Sequence, residues 1–160
     1  MIIRKIEAKD NHDIEQIIKN SLVEFGLPTV GTTFEDKALT IMFETYQSDR
    51  EVYFVIEIDG KVYGGGGIKS LQGSKENICE LQKMYFAPSI RGKGYGKPFF
   101  NKCIQAAKYF GYDKCYLESA SNLEAAIHIY KNNGFEHLNG PMGDTGHYSC
   151  QVWMLKDLRE

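Results

Sequence analysis

The sequence predicts an α/β protein in which a mixed β-sheet carries helices on both faces. Three observations lead to this prediction. Segments rich in β-branched and aromatic residues alternate with segments whose apolar residues recur at helical spacing. The composition, 42% hydrophobic and 25% charged, is that of an ordinary globular chain. The 160 residues are enough for one domain that spans residues 1–160 and buries a core without disulfides or metal. The predicted order is β-α-α-β-β-β-α-β-α-β-β.

The first third of the chain predicts one strand and two helices. Residues 2–7 are strand-like, and a helix is expected at about 12–25, ended by Gly26 and Pro28. Thr33, with Asp36 three residues later, predicts the start of a second helix. One face of the first helix is apolar and is formed by Ile14, Ile17, Ile18, Leu22 and Phe25.

A β-hairpin is predicted next. Residues 52–58 (VYFVIEI) are typical of a buried strand, and Asp59-Gly60 supplies a tight turn. The returning strand, VYGGGGIKSL, contains four consecutive glycines, Gly64 to Gly67. Glycines within an apolar strand indicate a bulge or a close approach of another group to the backbone.

The second half of the chain alternates strands and helices. Residues 77–86 predict a strand that ends at Ala87-Pro88, and a helix is expected at about 95–110. Residues 114–119 predict a short strand, and Ser121 with Glu124 predicts a capping box that starts a helix at about 122–133. Phe135 opens a short strand, and the tail contains the last one.

Composition excludes several classes of function. The formal net charge of −2 and the pI of about 6.1 argue against nucleic acid as a partner. No apolar run approaches the roughly 20 residues that span a bilayer, and the charged start is unlike a signal peptide, so we expect a cytoplasmic protein without a membrane partner. The four cysteines form no CxxC pair, so no metal is expected. Cys150, three residues after His147, leaves open a Cys–His nucleophile.

The richest local signal is the segment RGKGYG, residues 91–96, between a predicted strand and a predicted helix. Glycines let successive backbone amides turn toward one point, and the helix N-terminus and the side chains of Arg91 and Lys93 add positive charge. The segment therefore predicts an anion site suited to a pyrophosphate. Its spacing fits neither the Rossmann fingerprint nor the P-loop. A nucleotide or flavin site, or a simple turn, remains an alternative.

The chain resembles the GNAT family of N-acetyltransferases. Their motif A, R/Q-x-x-G-x-G/A, is filled by Arg91, Gly94 and Gly96. The segment NLEAAIHIYKNNGF resembles their motif B, with matches at Asn122, Ala126, Tyr130, Gly134 and Phe135. The resemblance is tight over residues 77–137. It implies the GNAT fold, a mixed and mostly antiparallel sheet of six to seven strands with a splayed pair of parallel central strands, here 79–86 and 114–119.

The resemblance implies acetyl-CoA as the cosubstrate. In this family, backbone amides of motif A hold the pyrophosphate, which in this chain are those of Arg91, Gly92, Lys93, Gly94, Tyr95, Gly96 and Lys97. The pantetheine arm lies between the splayed strands, where the backbone of Met84, Tyr85 and Phe86 would bind it, and Asn122 would add a side-chain contact. Pro98 departs from the family pattern and removes one possible amide donor.

Acetyl transfer to an amine needs a base for the ammonium and an acid for the leaving thiolate. Glu80 lies in an apolar strand, where burial would raise its pKa, and the resemblance places a catalytic glutamate there. The resemblance also directs the hydroxyl of Tyr130 toward the coenzyme sulfur. The alternatives are a solvent-facing Glu80, replaced by a water chain, and a Tyr130 that belongs only to the core.

The acceptor is the least determined part of the prediction. His147 lies in a glycine-rich polar loop before the last strand, where this family binds the acceptor, and is a candidate substrate contact. We expect a primary amine of a small or amino-acid-like molecule. Acetylation of a protein lysine or N-terminus, and an inactive CoA-binding sensor, are the alternatives. A homodimer is possible.

Overall fold

The computed structural model describes residues 1–160 and contains one seven-stranded sheet. Its spatial order is β1-β2-β3-β4-β5-β7-β6, and every neighbouring pair is antiparallel except β4 with β5. The predicted mixed and mostly antiparallel sheet of six to seven strands is confirmed. The strands are β1 Ile2–Lys5, β2 Val52–Ile58, β3 Lys61–Ser70, β4 Ile78–Phe86, β5 Lys114–Ser119, β6 Glu136–His137 and β7 Val152–Asp157.

Helices cover both faces of the sheet, as predicted, and divide the core in two. The helices are α1 Asn11–Glu24, α2 Met42–Thr45, α3 Gly96–Tyr109 and α4 Glu124–Asn132. On one face, Ile14, Ile18 and Leu22 of α1 pack with Met42 and with Val55 of the sheet. On the other face, α3 and α4 bury the following residues against the sheet: Phe99, Phe100, Cys103, Ala107 and Tyr130. No helix is long and apolar enough to cross a bilayer.

Two predicted helix starts are wrong. After Thr33 the chain forms short 3-10 turns at Thr33–Glu35 and Lys37–Ile41 before α2, and the capping side chain is that of Thr32, which accepts from the Phe34 amide. The capping box of Ser121 and Glu124 is absent, because α4 begins at Glu124 after Leu123, with no side-chain cap. In both places a short polar signal is overridden by the packing of the segment around it.

The four glycines of β3 serve both predicted purposes. The register of β3 against β4 shifts between Gly65 and Gly67, so Lys83 and Met84 bulge opposite Gly66. Lys83 takes a φ of 52°, which is unusual for a residue with a side chain. A Cβ on Gly67 would lie 2.7 Å from the Tyr53 ring and 2.8 Å from the Val52 carbonyl. The glycines therefore let a buried aromatic side chain lie directly on the sheet.

The parallel pair opens the sheet at its centre. β4 and β5 pair only at Ile78–Lys114, Cys79–Cys115 and Glu80–Tyr116. Beyond that point β4 continues for six residues to Phe86, whereas β5 ends at Ser119 after pairing with β7. The edge of β4 that faces β5 is therefore unpaired from Leu81 to Phe86. Glu80 stands at the vertex of this gap.

Candidate active site

A cavity of about 260 Å³ fills the gap between β4 and β5. Its walls come from both strands, from the end of α1 and the segment after it, from the start of α4, and from the loop before β7. Eight of the residues predicted from the sequence are among those that line it: Glu80, Met84, Tyr85, Phe86, Arg91, Asn122, Tyr130 and His147. The predicted loop residues 92–97 lie outside the cavity lining.

The glycine-rich loop presents unused amide donors. Gly92 and Gly94 have φ angles of 71° and 82°, a left-handed backbone that glycine adopts without strain. The amides of Gly92, Lys93, Gly94 and Tyr95 donate no hydrogen bond within the protein. The 14-residue helix α3 begins immediately afterwards, so the positive end of its dipole lies at the same point. Such a cluster of free amides suits a phosphate group.

Arg91 has other partners than those expected from the sequence. Its guanidinium makes two hydrogen bonds to the Glu24 carboxylate, at 2.9 and 2.8 Å, and another to the Phe86 carbonyl at 2.8 Å. The Glu24 charge therefore neutralises this cation and ties it to the end of α1. The positive side chains left free at the loop are those of Lys93 and Lys97, which are exposed.

Asn122 likewise has a partner within the protein. Its side-chain amide donates to the Phe25 carbonyl at 2.7 Å. It does not cap α4, but its partner Phe25 is the C-cap residue of α1. Its contact with pantetheine stays a prediction. Together, Arg91 and Asn122 join the C-terminal end of α1 to the loops that follow β4 and β5. The end of α1 therefore bridges the gap.

Glu80 is buried, with only 4% of its surface exposed, so the solvent-facing alternative is wrong. Burial raises the pKa of this carboxyl. A hydrogen bond from the Gln82 side chain, 2.7 Å long, opposes the rise, and the nearby Glu118 carboxylate adds to it. Gln82 is itself held by the Tyr46 hydroxyl at 2.7 Å. The result is an oriented carboxyl group with a raised pKa, which suits a proton acceptor.

Tyr130 combines a core position with a free hydroxyl. Its ring packs against Phe100 and Phe135, at centroid distances of 5.9 and 6.0 Å. Its hydroxyl forms no hydrogen bond within the protein, and the residue lines the cavity. Burial raises the pKa of this phenol, so the hydroxyl keeps its proton at neutral pH. The two alternatives drawn from the sequence, core and site, are therefore compatible in one side chain.

His147 belongs to a cluster of charged groups beside the cavity. Its Nε2 lies 2.9 Å from Asp36, whose carboxylate also binds the Lys83 ammonium at 2.9 Å. Its Nδ1 forms no hydrogen bond and lies 3.9 Å from Oε2 of Glu118. Burial alone would lower the pKa of His147, but the hydrogen bond and charge of Asp36 outweigh it, and the pKa is raised.

Glu118 completes this cluster. Its carboxylate accepts hydrogen bonds from the Tyr116 hydroxyl at 2.8 Å and from the Thr145 hydroxyl at 2.7 Å. The potential ligand atoms of Glu80, Glu118 and His147 all lie within 4.8 Å of one another. These are the residues that could hold a cation. Zinc requires ligand distances of about 2.0–2.2 Å, so Nδ1 and Oε2 at 3.9 Å would have to move closer to share it.

Sequence reasoning missed Glu118, Lys83 and the role of Asp36. Asp36 was assigned to a helix start, although it lies 111 residues from the histidine it binds. The available signal for Glu118 was similar to the one that selected Glu80, a carboxylate that follows apolar residues in a predicted strand. The Cys–His nucleophile is disfavoured, because burial, with the nearby Glu118 and Glu80 charges, raises the pKa of Cys150 to about 12.

The sheet opens between two parallel strands, and a loop with free backbone amides follows β4 at that gap, as the resemblance to the GNAT family implies. The model of the acetyltransferase (GNAT) family matches residues 16–135 of this chain. The chain is 41% identical to YjgM, an uncharacterized N-acetyltransferase of Escherichia coli, over 98% of this chain and 95% of that protein. The protein therefore belongs to the GNAT family of acetyl-CoA-dependent N-acetyltransferases.

Solved structures show the same fold. A GNAT-family acetyltransferase from Staphylococcus aureus superimposes with a TM-score of 0.82 at 19% identity, covering 98% of each chain. YncA from Salmonella typhimurium, solved with acetyl-CoA, gives a TM-score of 0.80 at 20% identity, covering all of this chain and 95% of the other. At these identities the likeness concerns the fold alone.

Proposed function

We propose that the protein transfers the acetyl group of acetyl-CoA directly to the primary amine of a small-molecule acceptor, with both substrates bound together. The observation that carries this proposal is the arrangement of the gap between β4 and β5. Free amides suited to phosphate follow β4, a free phenol lines the gap, and a buried carboxyl stands at its vertex. No covalent enzyme intermediate is needed when the two substrates meet in one cavity.

Backbone and side-chain groups of this chain support the proposed site for acetyl-CoA. The amides of Gly92 to Tyr95 would hold the pyrophosphate, with Lys93 and Lys97 adding charge. The unpaired edge of β4 at Met84, Tyr85 and Phe86 offers backbone groups to the pantetheine amides, much as another strand would. Acetyl-CoA is consumed in each turnover, so it is a substrate and supplies the activated acyl group.

Glu80 is the proposed proton acceptor. A bound ammonium loses one proton to the Glu80 carboxylate, and the neutral amine nitrogen then bonds to the thioester carbon. The buried position and the Gln82 hydrogen bond hold the carboxylate in place for this step. After the nitrogen bonds to the thioester carbon it still carries one proton too many, and it releases this second proton as the amide forms.

Tyr130 is the proposed proton donor. As the carbon–sulfur bond breaks, the bonding pair goes to sulfur, and the Tyr130 hydroxyl protonates the thiolate. The second proton of the acceptor nitrogen restores the Tyr130 phenol, and Glu80 passes the first proton to solvent. The ammonium and acetyl-CoA thus give the amide, the CoA thiol and one released proton. The raised pKa of the phenol keeps it protonated before the transfer.

A free-thiol assay tests the proposal. Purified protein, acetyl-CoA and a panel of primary amines should release CoA thiol only when an amine is present, and mass spectrometry should find the N-acetylated product. Acetyl-CoA should also raise the melting temperature, whereas NAD and ATP should not. A melting shift without amine-dependent thiol release would instead indicate the inactive sensor, and a shift with NAD or ATP alone would overturn the donor site. The cytoplasmic location and a homodimer remain predictions.

A further inference from the structure

Two buried carboxylates stand close together on the neighbouring strands β4 and β5. Only 4% of the Glu80 surface and 4% of the Glu118 side chain are exposed. Neither carboxylate forms an ion pair with a lysine or an arginine, and the ammonium of Lys83 is bonded to Asp36 instead. The charge of Glu118 adds to burial in raising the pKa of Glu80. Buried carboxylates of like charge favour a cation that both can bind.

The imidazole of His147 is aimed at these two carboxylates. Only 9% of this side chain is exposed, and its Nδ1 forms no hydrogen bond and lies 3.9 Å from Oε2 of Glu118. Its Nε2 lies 2.9 Å from the Asp36 carboxylate. When Nε2 donates its proton to Asp36, the imidazole is neutral and Nδ1 presents a free lone pair. A carboxylate on the second ring nitrogen is the usual partner of a metal-binding histidine, because it fixes the tautomer and the ring orientation.

One imidazole nitrogen and two carboxylates form a ligand set that suits zinc. Zinc binds such atoms at about 2.0–2.2 Å, and three protein ligands leave a fourth position for water. Ligand atoms in a tetrahedron of this size are about 3.4 Å apart. Nδ1 and Oε2, at 3.9 Å, are therefore close to this spacing, and no two of the three ligand atoms are more than 4.8 Å apart. Rotation of the glutamate side chains closes a difference of this size. Magnesium and calcium prefer sites built from oxygen ligands alone.

We propose that Glu80, Glu118 and His147 form a zinc site, and that zinc bound there inhibits the enzyme. Two carboxylates and a neutral imidazole give a zinc complex without net charge, which suits a buried position. Zinc would occupy the oxygen of Glu80 that is proposed to take the proton of the ammonium. The inhibition therefore rests on the proposed acetyl transfer, whereas the binding of zinc does not. The sequence-based expectation of no metal considered only the cysteines, and these three ligands come from separate segments of the chain.

Isothermal titration calorimetry with ZnCl2 tests the site directly, in protein without a histidine tag and without acetyl-CoA or amine. The titration is made at pH 8, because protons compete with zinc for Nδ1. We expect one zinc ion per chain with a Kd in the micromolar range, and binding of MgCl2 at least about 10-fold weaker. No binding of zinc, or equal binding of magnesium, would overturn the zinc site and leave acetyl transfer intact.

The variants Glu118→Gln and His147→Gln locate the bound zinc. Each removes one ligand and keeps a polar side chain, so the Kd for zinc should rise at least about 10-fold in proteins of normal melting temperature. Glu76→Gln and His12→Gln, which alter exposed side chains outside the cavity, are the matched controls and should bind zinc as wild type does. Cys150→Ser is included because this cysteine also lines the cavity. Loss of binding in Cys150→Ser alone, or an unchanged Kd in both ligand variants, would overturn the assignment.

Inhibition is measured on the N-acetylated product by mass spectrometry, since zinc also binds the free thiol of CoA. With saturating acetyl-CoA, ZnCl2 at about ten times its Kd should raise the apparent KM for the amine about 10-fold, and EDTA should reverse the effect. Zinc that binds these three residues without slowing acetylation would overturn the inhibitory role. If zinc binds as expected and no amine is acetylated, the proposed function fails and the zinc site stands.

Discussion

The two ends of the proposed active site are built in opposite ways. The end proposed for the coenzyme uses consecutive residues, and its hydrogen-bond donors are backbone amides in a loop that contains two left-handed glycines. The end proposed for the acceptor uses side chains from four separate segments, which bring Asp36, Glu80, Glu118 and His147 together. A backbone site does not depend on side-chain identity, whereas a side-chain site changes with every substitution. The donor end is therefore suited to one common ligand, and the acceptor end to one particular amine.

The largest effect should come from Glu80→Gln, which directly tests the acceptor end. The amide keeps the shape of the side chain but cannot take a proton, so kcat should fall about 100-fold. The affinity for acetyl-CoA, measured by calorimetry, should not change, because the loop amides are untouched. In the wild-type protein, kcat should fall as pH is lowered through the raised pKa of Glu80, since the protonated carboxyl cannot act as a base. Full activity of Glu80→Gln would indicate that a chain of water molecules, and not Glu80, removes the proton from the ammonium.

Tyr130→Phe should have the next largest effect, since the phenyl ring keeps the packing with Phe100 and Phe135 and only the proton donor is lost. We expect kcat to fall about 10- to 100-fold, with a normal melting temperature. Tyr109→Phe, at a position that is 88% exposed, is the control and should behave as wild type. Stopped-flow measurement of a single turnover separates this chemical step from product release. Unchanged single-turnover kinetics in Tyr130→Phe would leave this tyrosine a core residue only.

Gly94→Ala tests whether the glycine loop binds acetyl-CoA. A side chain at a φ of 82° is strained by about 1–2 kcal/mol, and the loop would relieve this by turning its amides away. The Kd for acetyl-CoA should rise about 10-fold. Gly111→Ala offers a close match, since Gly111 has a φ of 77°, equally open surroundings, and a position at the far end of α3. Both variants should lose similar stability, and only the first should lose affinity. Equal affinities would show that the loop does not hold the ligand.

The last effect concerns stability and not activity, and it comes from the ion pair of Asp36 and His147. The pKa of His147 is raised, so its stabilising contribution is complete below its unfolded pKa and is lost as pH rises through the folded value. Burial alone would raise the pKa of Asp36. The hydrogen bonds and charges of His147 and Lys83 outweigh burial, so the pKa of Asp36 is lowered. The contribution of Asp36 is complete above its unfolded pKa and is lost as pH falls through the folded value.

Both contributions are therefore complete between about pH 4 and 6.5, the ordinary pKa values of the two groups. Urea unfolding should show that Asp36→Asn loses the most stability in this window, by about 1–3 kcal/mol, and less above it. Asp49→Asn, at an exposed site outside the cavity, is the control. A loss that is constant from pH 5 to 9 would indicate that His147 is not charged in the folded protein.

Local chemistry explains why most of the fold could be read directly from the sequence. Strands 52–58 and 114–119 have the predicted bounds, and the first helix, expected at about 12–25, is observed at Asn11–Glu24. The periodicity of apolar residues and the identity of turn residues depend only on positions that are close in the sequence. The predicted helix starts at Thr33 and Ser121 were wrong, because the tertiary packing of those segments places the helix starts at other residues.

The sequence by itself determined the donor loop, because its glycines, its basic residues and the following helix are contiguous and fix the local backbone. It also selected Glu80 and Tyr130, through their motif positions. Only the tertiary structure decided which acids come together at the proposed acceptor site and what neutralises Arg91, since Asp36 and His147 lie 111 residues apart and Glu24 and Arg91 lie 67 apart. Distances across a sheet depend on strand order and register, which follow from the packing of the whole chain and not from the spacing of any one motif.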